Sequence, residues 1–150
     1  MKEKIKNIFY LFFPIFMGFI IGLITKDSIS YNDMIKPPFS PSPIVFPIAW
    51  SILYLLIGIS YYLLKKEKDT KLESIIYYLQ LFFNFTWPII YFVFNLQILS
   101  IIWIIILLFL TIFMTYLFYQ KNKLSAYLLI PYILWLIFAT YFNIGTTILN

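Results

Sequence analysis

Five runs of predominantly apolar residues, each about as long as a bilayer is thick, dominate this 150-residue chain. A spanning helix needs about 20 such residues. A soluble domain of this size could not bury a sequence that is 63% hydrophobic and 23% aromatic, because too much of a small domain is surface. Lipid is the solvent that accepts it. In lipid every backbone N–H and C=O must be satisfied internally, which selects helices for runs of this length. The expected fold is an all-α integral membrane protein, a bundle of five transmembrane helices forming one domain over residues 1–150. The spans are expected at about 5–25, 43–64, 72–94, 98–119 and 124–148. Short links make sequential helices antiparallel neighbours. The exception is a Pro-rich loop over 26–42.

Charge sets the expected orientation. All 11 cationic side chains are lysine. Lys2, Lys4, Lys6, Lys65, Lys66, Lys68, Lys71, Lys121 and Lys123 fall on one side of a five-span chain, and only Lys26 and Lys36 on the other. Positive charge stays inside, so the N-terminus is expected in the cytoplasm and the C-terminus outside. The net charge of +5 therefore reads as topology, with no nucleic-acid partner implied. The first run lacks a small-residue cleavage site and is expected to be retained as a helix. A low-Arg, Ile/Lys/Asn-rich chain suits a bacterial plasma membrane. The chain contains neither Cys nor His, which removes thiol chemistry, the commonest metal ligand and the commonest general base. The cores of the spans read as free of charge. That argues against an ion-coupled pump and against hydrolysis. No catalytic residue, metal or resident cofactor is expected.

The polar residues that do enter the spans are patterned. Tyr77, Gln80, Asn84, Trp87 and Tyr91 recur three and four apart, so they share one face of the third helix. Such a face avoids lipid. It either bonds neighbouring helices or lines a ligand site, and spacing alone leaves both open. Trp135, Ala139 and Asn143 form a similar face on the fifth span, with a small residue between two larger ones. Phe46, Trp50 and Tyr54 open the second span four apart; interfacial Trp and Tyr are usually membrane anchors, and that reading applies with force to Trp50 and to Trp103. Gly18 and Gly22 make a small-xxx-small pair suited to close helix packing or a dimer contact. Pro88 and Pro131 interrupt apolar segments and are expected to kink them. Five prolines between Pro37 and Pro47 stiffen the long loop into non-helical backbone, either a strap across the mouth of the bundle or a rigid spacer.

Three segments resemble one family. "KPPFSPSPIVFPIAWSILY" is similar to the signature of the translocator proteins, also called tryptophan-rich sensory proteins or peripheral-type benzodiazepine receptors. The match lies in Lys36, Pro37, Phe39, Pro41, Phe46, Pro47, Trp50, Leu53 and Tyr54. "NFTW" places Asn84 and Trp87 in the family's third-helix positions. "PYILWLIFATYFN" matches its fifth helix at Pro131, Tyr132, Trp135, Phe138, Ala139 and Asn143. Ser30-Tyr31 stands where many members carry Trp-Tyr, and Phe39 where they carry Trp. The resemblance implies a five-helix bundle that binds porphyrins, such as protoporphyrin IX, and other hydrophobic aromatic molecules. The site residues it implies are Tyr31, Phe46, Trp50, Tyr54, Asn84, Trp87, Trp135, Ala139 and Asn143. The lid is then the Pro-rich loop, with Lys36, Pro37, Phe39 and Pro41. It implies porphyrin as ligand, membrane lipid as surroundings and a homodimer. The basic residue of the animal cholesterol-recognition segment has no counterpart here. Three functions fit these residues: a receptor or carrier in tetrapyrrole homeostasis or stress sensing, an enzyme promoting light-dependent porphyrin oxidation through pocket tryptophans, or a partner-binding membrane subunit.

Overall fold

The computed structural model describes residues 1–150 and is all-helical: α1 (Lys2–Thr25), α2 (Val45–Leu64), α3 (Lys71–Pro88), α4 (Gln97–Lys121), a short α5 (Lys123–Tyr127) and α6 (Ile130–Leu149). Five segments are long and apolar enough to cross a membrane: Lys2–Ser28, Val45–Leu64, Lys71–Val93, Gln97–Lys121 and Lys123–Leu149. Two prolines shape the departures from five plain helices. Pro88 has no N–H to return to the Asn84 carbonyl, and α3 passes there into a π-helical turn over Ile89–Val93. Pro131 lies in the first turn of α6, where its missing N–H costs nothing. The fifth span is thus two helices, parted at Leu128 and Leu129.

The core follows from helical stripes. On α4, Ser100, Ile104, Leu107, Thr111, Met114 and Phe118 are all essentially inaccessible and recur every three or four residues, while Ile98, Phe109 and Tyr116 face outward. Small residues let backbones close up. A Cβ built on Gly58 would stand 2.1 Å from the Leu11 carbonyl oxygen, so α1 rests directly on α2. Of the glycine pair on α1, Gly18 lies beneath the Tyr54 ring, whereas nothing comes within 4 Å of a Cβ on Gly22. Ser60 and Ser125 join α2 to α5 by reciprocal bonds to each other's carbonyls, at 2.7 and 2.6 Å.

The two ends of the bundle differ in charge. Lys121 Nζ reaches the Lys68 carbonyl at 3.5 Å and Asn122 bonds Glu67 at 3.1 Å, so the α2–α3 and α4–α5 links share one end. Tyr10 packs edge-on to Tyr61 at 5.1 Å, which brings the start of α1 to that end as well. The Pro-rich loop and Asn150 meet at the other. One sequence expectation fails: Glu73 lies inside the third span, in the first turn of α3. It is buried, and its Oε2 has no hydrogen-bond partner. Its place one turn from the lysine-bearing end is why a span count treats it as a flank.

Candidate functional site: an aromatic cleft beneath a proline strap

The loop after α1 makes two 3-10 turns, Lys26–Ser28 and Tyr31–Asp33, then runs without regular structure to α2. It lies along α6 and is fastened at several points. Ile35 exchanges two bonds with the Asn150 side chain, N–H to Oδ1 at 3.0 Å and Nδ2 to carbonyl at 2.7 Å. Tyr141 donates to the Pro38 carbonyl at 2.7 Å. Pro37 is buried on Gly145, where a Cβ would meet its Cγ at 2.6 Å, so only glycine admits it. Lys36 donates inward to the carbonyls of Tyr31 and Met34, at 2.9 and 3.2 Å, and covers the Tyr31 ring. Phe39 sits at φ 66°, in the left-handed region, with its ring 93% exposed. It touches none of the cleft residues described below.

Tyr31 is the strap's inward anchor. Its hydroxyl donates to the Pro41 carbonyl, and burial pushes its pKa up from the ordinary tyrosine value. Its ring stacks on Phe142 at 5.9 Å and meets Phe46 edge-on at 5.3 Å. From there aromatic contacts run continuously down the α2–α6 seam. Phe46 touches Trp135 at 5.7 Å, Trp135 meets Trp50 at 6.2 Å and 88°, and Trp50 stacks on Tyr54 at 5.5 Å. The four-residue spacing of Phe46, Trp50 and Tyr54 thus turns one face of α2 toward α6. Trp50 is half-buried in this row and not a simple surface anchor.

A hydrogen-bonded chain closes the cleft from below. Tyr54 donates to Asn84 Oδ1 at 2.7 Å, and Asn84 Nδ2 donates to the Tyr132 hydroxyl at 2.6 Å. Tyr132 donates on to Gln80 Oε1 at 2.8 Å. These four buried residues tie α2, α3 and α6 together. Trp87 and Asn143 form a separate group: Trp87 Nε1 donates to Asn143 Oδ1 at 2.9 Å, and Asn143 Nδ2 to Ser100 Oγ at 3.1 Å. Tyr91 and Thr146 bond at 2.6 Å one turn further on. From Gln80 to Tyr91 the polar stripe of the third span makes interhelical bonds, and its Asn84 segment also underlies the aromatic row, whereas the buried Tyr77 hydroxyl at its start has no partner.

The structure brings Tyr31, Phe46, Trp50, Tyr54, Asn84 and Trp135 into one connected cluster. Trp87 and Asn143 pair deeper, between α3, α4 and α6, and Ala139 is buried on α6 one turn from each of Trp135 and Asn143. Tyr132, Gln80 and Phe142 belong to the cluster and were not among the expected site residues. Tyr132 precedes Trp135 by three positions, so carrying the α6 face back one turn finds it. A hollow of about 420 Å³ opens between α2 and α6 onto the membrane-facing surface, bordered by Leu53, Pro131, Trp135 and Phe138 among others. Its size falls in the range of small-molecule sites, about 300–1,000 Å³. Trp135 Nε1 is buried there without a hydrogen-bond partner.

Helices long enough to span, an aromatic seam between α2 and α6 and a strap fastened along α6 define a polytopic α-helical membrane protein with a lateral cleft. Comparison with known proteins narrows this. The model of the TspO/MBR family matches residues 10–149. The chain is 30% identical to "Tryptophan-rich protein TspO" of Archaeoglobus fulgidus, over 89% of this chain and 90% of that one. It is 29% identical to "Translocator protein homolog" of Schizosaccharomyces pombe, over 91% and 87%. It is 25% identical to "Tryptophan-rich sensory protein" of Cereibacter sphaeroides, over 86% and 82%. The chain belongs to the TspO/MBR family and is an integral membrane protein.

Proposed function

We propose that this protein is a membrane receptor or carrier for porphyrins of the protoporphyrin IX type, and for other flat hydrophobic molecules, with a role in tetrapyrrole homeostasis or stress sensing. The observation that supports this most is the aromatic row Tyr31–Phe46–Trp135–Trp50–Tyr54 beside a membrane-facing hollow. A macrocycle entering from lipid stacks on aromatic faces, and the unpartnered Trp135 Nε1 offers it a donor. The strap covers the other side. In this reading the protein works as a homodimer in a bacterial plasma membrane, with the lysine-bearing end cytoplasmic.

The edge-on contact of Trp50 with Trp135 supports a second reading, in which dioxygen from solution oxidises bound porphyrin in light with these two side chains taking part. Two measurements separate the possibilities. Titration of the detergent-purified protein with protoporphyrin IX, read by tryptophan quenching, should saturate at a defined stoichiometry; absence of saturation rejects both readings and leaves a partner-binding subunit. Illumination of the complex, against free porphyrin, then decides between them: unchanged porphyrin means receptor or carrier, and new open-chain products mean enzyme.

A further inference from the structure

Four buried side-chain polar atoms have no hydrogen-bond partner, and three of them lie on α3: Glu73 Oε2, the Tyr77 hydroxyl and Gln80 Nε2. Their side chains are exposed by only 6, 1 and 0%. Steps of four and then three residues put all three on one face, with rises of about 6 and 4.5 Å along the helix axis. Unpaired polar groups inside a bundle are costly, and ordered water is the usual partner where protein supplies none.

The side chains around this face are committed elsewhere. The Tyr77 ring lies flat on Tyr61, with centroids 3.8 Å apart and planes 1° from parallel. The Tyr61 hydroxyl is itself bonded to Ser74 at 3.0 Å. Gln80 is held through its Oε1, which accepts from Tyr132 at 2.8 Å. The free valences then follow an order along the helix: an amide donor at Gln80, a hydroxyl that donates and accepts at Tyr77, and a carboxyl acceptor at Glu73. One bridging water joins groups about 5 Å apart, close to the rise between successive members. Beyond Gln80 the chain is already continuous. Tyr54 donates to Asn84, Asn84 to Tyr132 and Tyr132 to Gln80, so every donor points away from the cleft and toward Gln80 Nε2.

We propose that this face binds a short file of ordered water, which joins Gln80 through Tyr77 to Glu73. The file completes one donor-to-acceptor chain from Tyr54, beneath Trp50, to the first turn of α3 at the lysine-bearing end. Bonds in such a chain strengthen one another, so the water helps to hold Tyr54 and Tyr132 under the aromatic row. The site does not depend on what the cleft binds.

Two measurements test it. Tyr77→Phe removes the hydroxyl and keeps the ring on Tyr61. If water bonds that hydroxyl, the thermal midpoint in detergent should fall by roughly 2–4 °C; an unchanged or raised midpoint means an unpaired hydroxyl and overturns the file. Solid-state NMR of the unaltered full chain in liposomes reads the water directly, by magnetisation transfer from water to side-chain amides. The Gln80 amide, assigned by its disappearance in Gln80→Leu, should receive water magnetisation several-fold faster than the Asn143 amide. Asn143 is equally inaccessible and also lies beside a hydroxyl, but its Nδ2 is paired with Ser100. Equal transfer to the two amides, or none to Gln80, would overturn the proposal.

Discussion

Single atoms decide how closely this bundle packs. Gly58 has no room for a methyl group, because the Leu11 carbonyl oxygen already occupies its place. Gly58→Ala should therefore prise α1 from α2 and destabilise the protein by about 1–3 kcal/mol, the usual cost of overpacking. Gly22→Ala meets nothing and should be neutral or slightly stabilising, since alanine is the better helix former. Thermal unfolding in detergent checks the pair, and equal midpoints would refute the close contact. Asn84 is a second such point. It accepts from Tyr54 and donates to Tyr132, so Asn84→Ala strands the buried Tyr54 hydroxyl and should cost roughly 1–3 kcal/mol.

The strap is held by α6, not merely tethered between α1 and α2. Its fastenings are the Asn150 side chain on Ile35, Tyr141 on Pro38 and Pro37 on Gly145. Trypsin cleavage after Lys36 reports its release. Asn150→Ala should speed that cleavage several-fold, and saturating protoporphyrin IX should slow it if the strap closes over ligand. Identical cleavage rates with and without porphyrin would make the strap a spacer. Much of this segment was readable beforehand, because four prolines from Pro37 to Pro43 exclude helix there by local sterics alone, while the fifth, Pro47, is accommodated in the first turn of α2. Its fastenings were not. They join residues more than a hundred positions apart, and nothing in the local pattern pairs Ile35 with Asn150. Periodicity likewise found the polar stripe of α3 but not its partners, since it fixes a face and not what faces it. Glu73 shows the same limit: a carboxylate one turn inside a helix looks like flank in sequence, and only packing buries it.

Across the bundle, hydropathy carried the architecture, because lipid penalises any alternative to five satisfied helices. The breaks at Pro88 and Pro131 were marked in the sequence, although their forms, a π-helical turn and a split helix, depend on neighbouring packing. The lysine asymmetry survives in three dimensions as one charged end. Reporter enzymes active on only one side of the membrane, fused to each terminus, should place the N-terminus in the cytoplasm and the C-terminus outside; the reverse would mean that the charge bias does not govern this chain. The strongest test of the cleft compares two tryptophans. Trp135 belongs to the aromatic row and borders the hollow, whereas Trp103 lies on α4 and donates to Thr86 Oγ1 at 2.8 Å. Protoporphyrin IX affinity should fall roughly 2- to 12-fold in Trp135→Ala, the worth of one aromatic contact, and stay unchanged in Trp103→Ala. Equal loss in both folded variants, or full affinity in Trp135→Ala, would contradict a porphyrin site between α2 and α6.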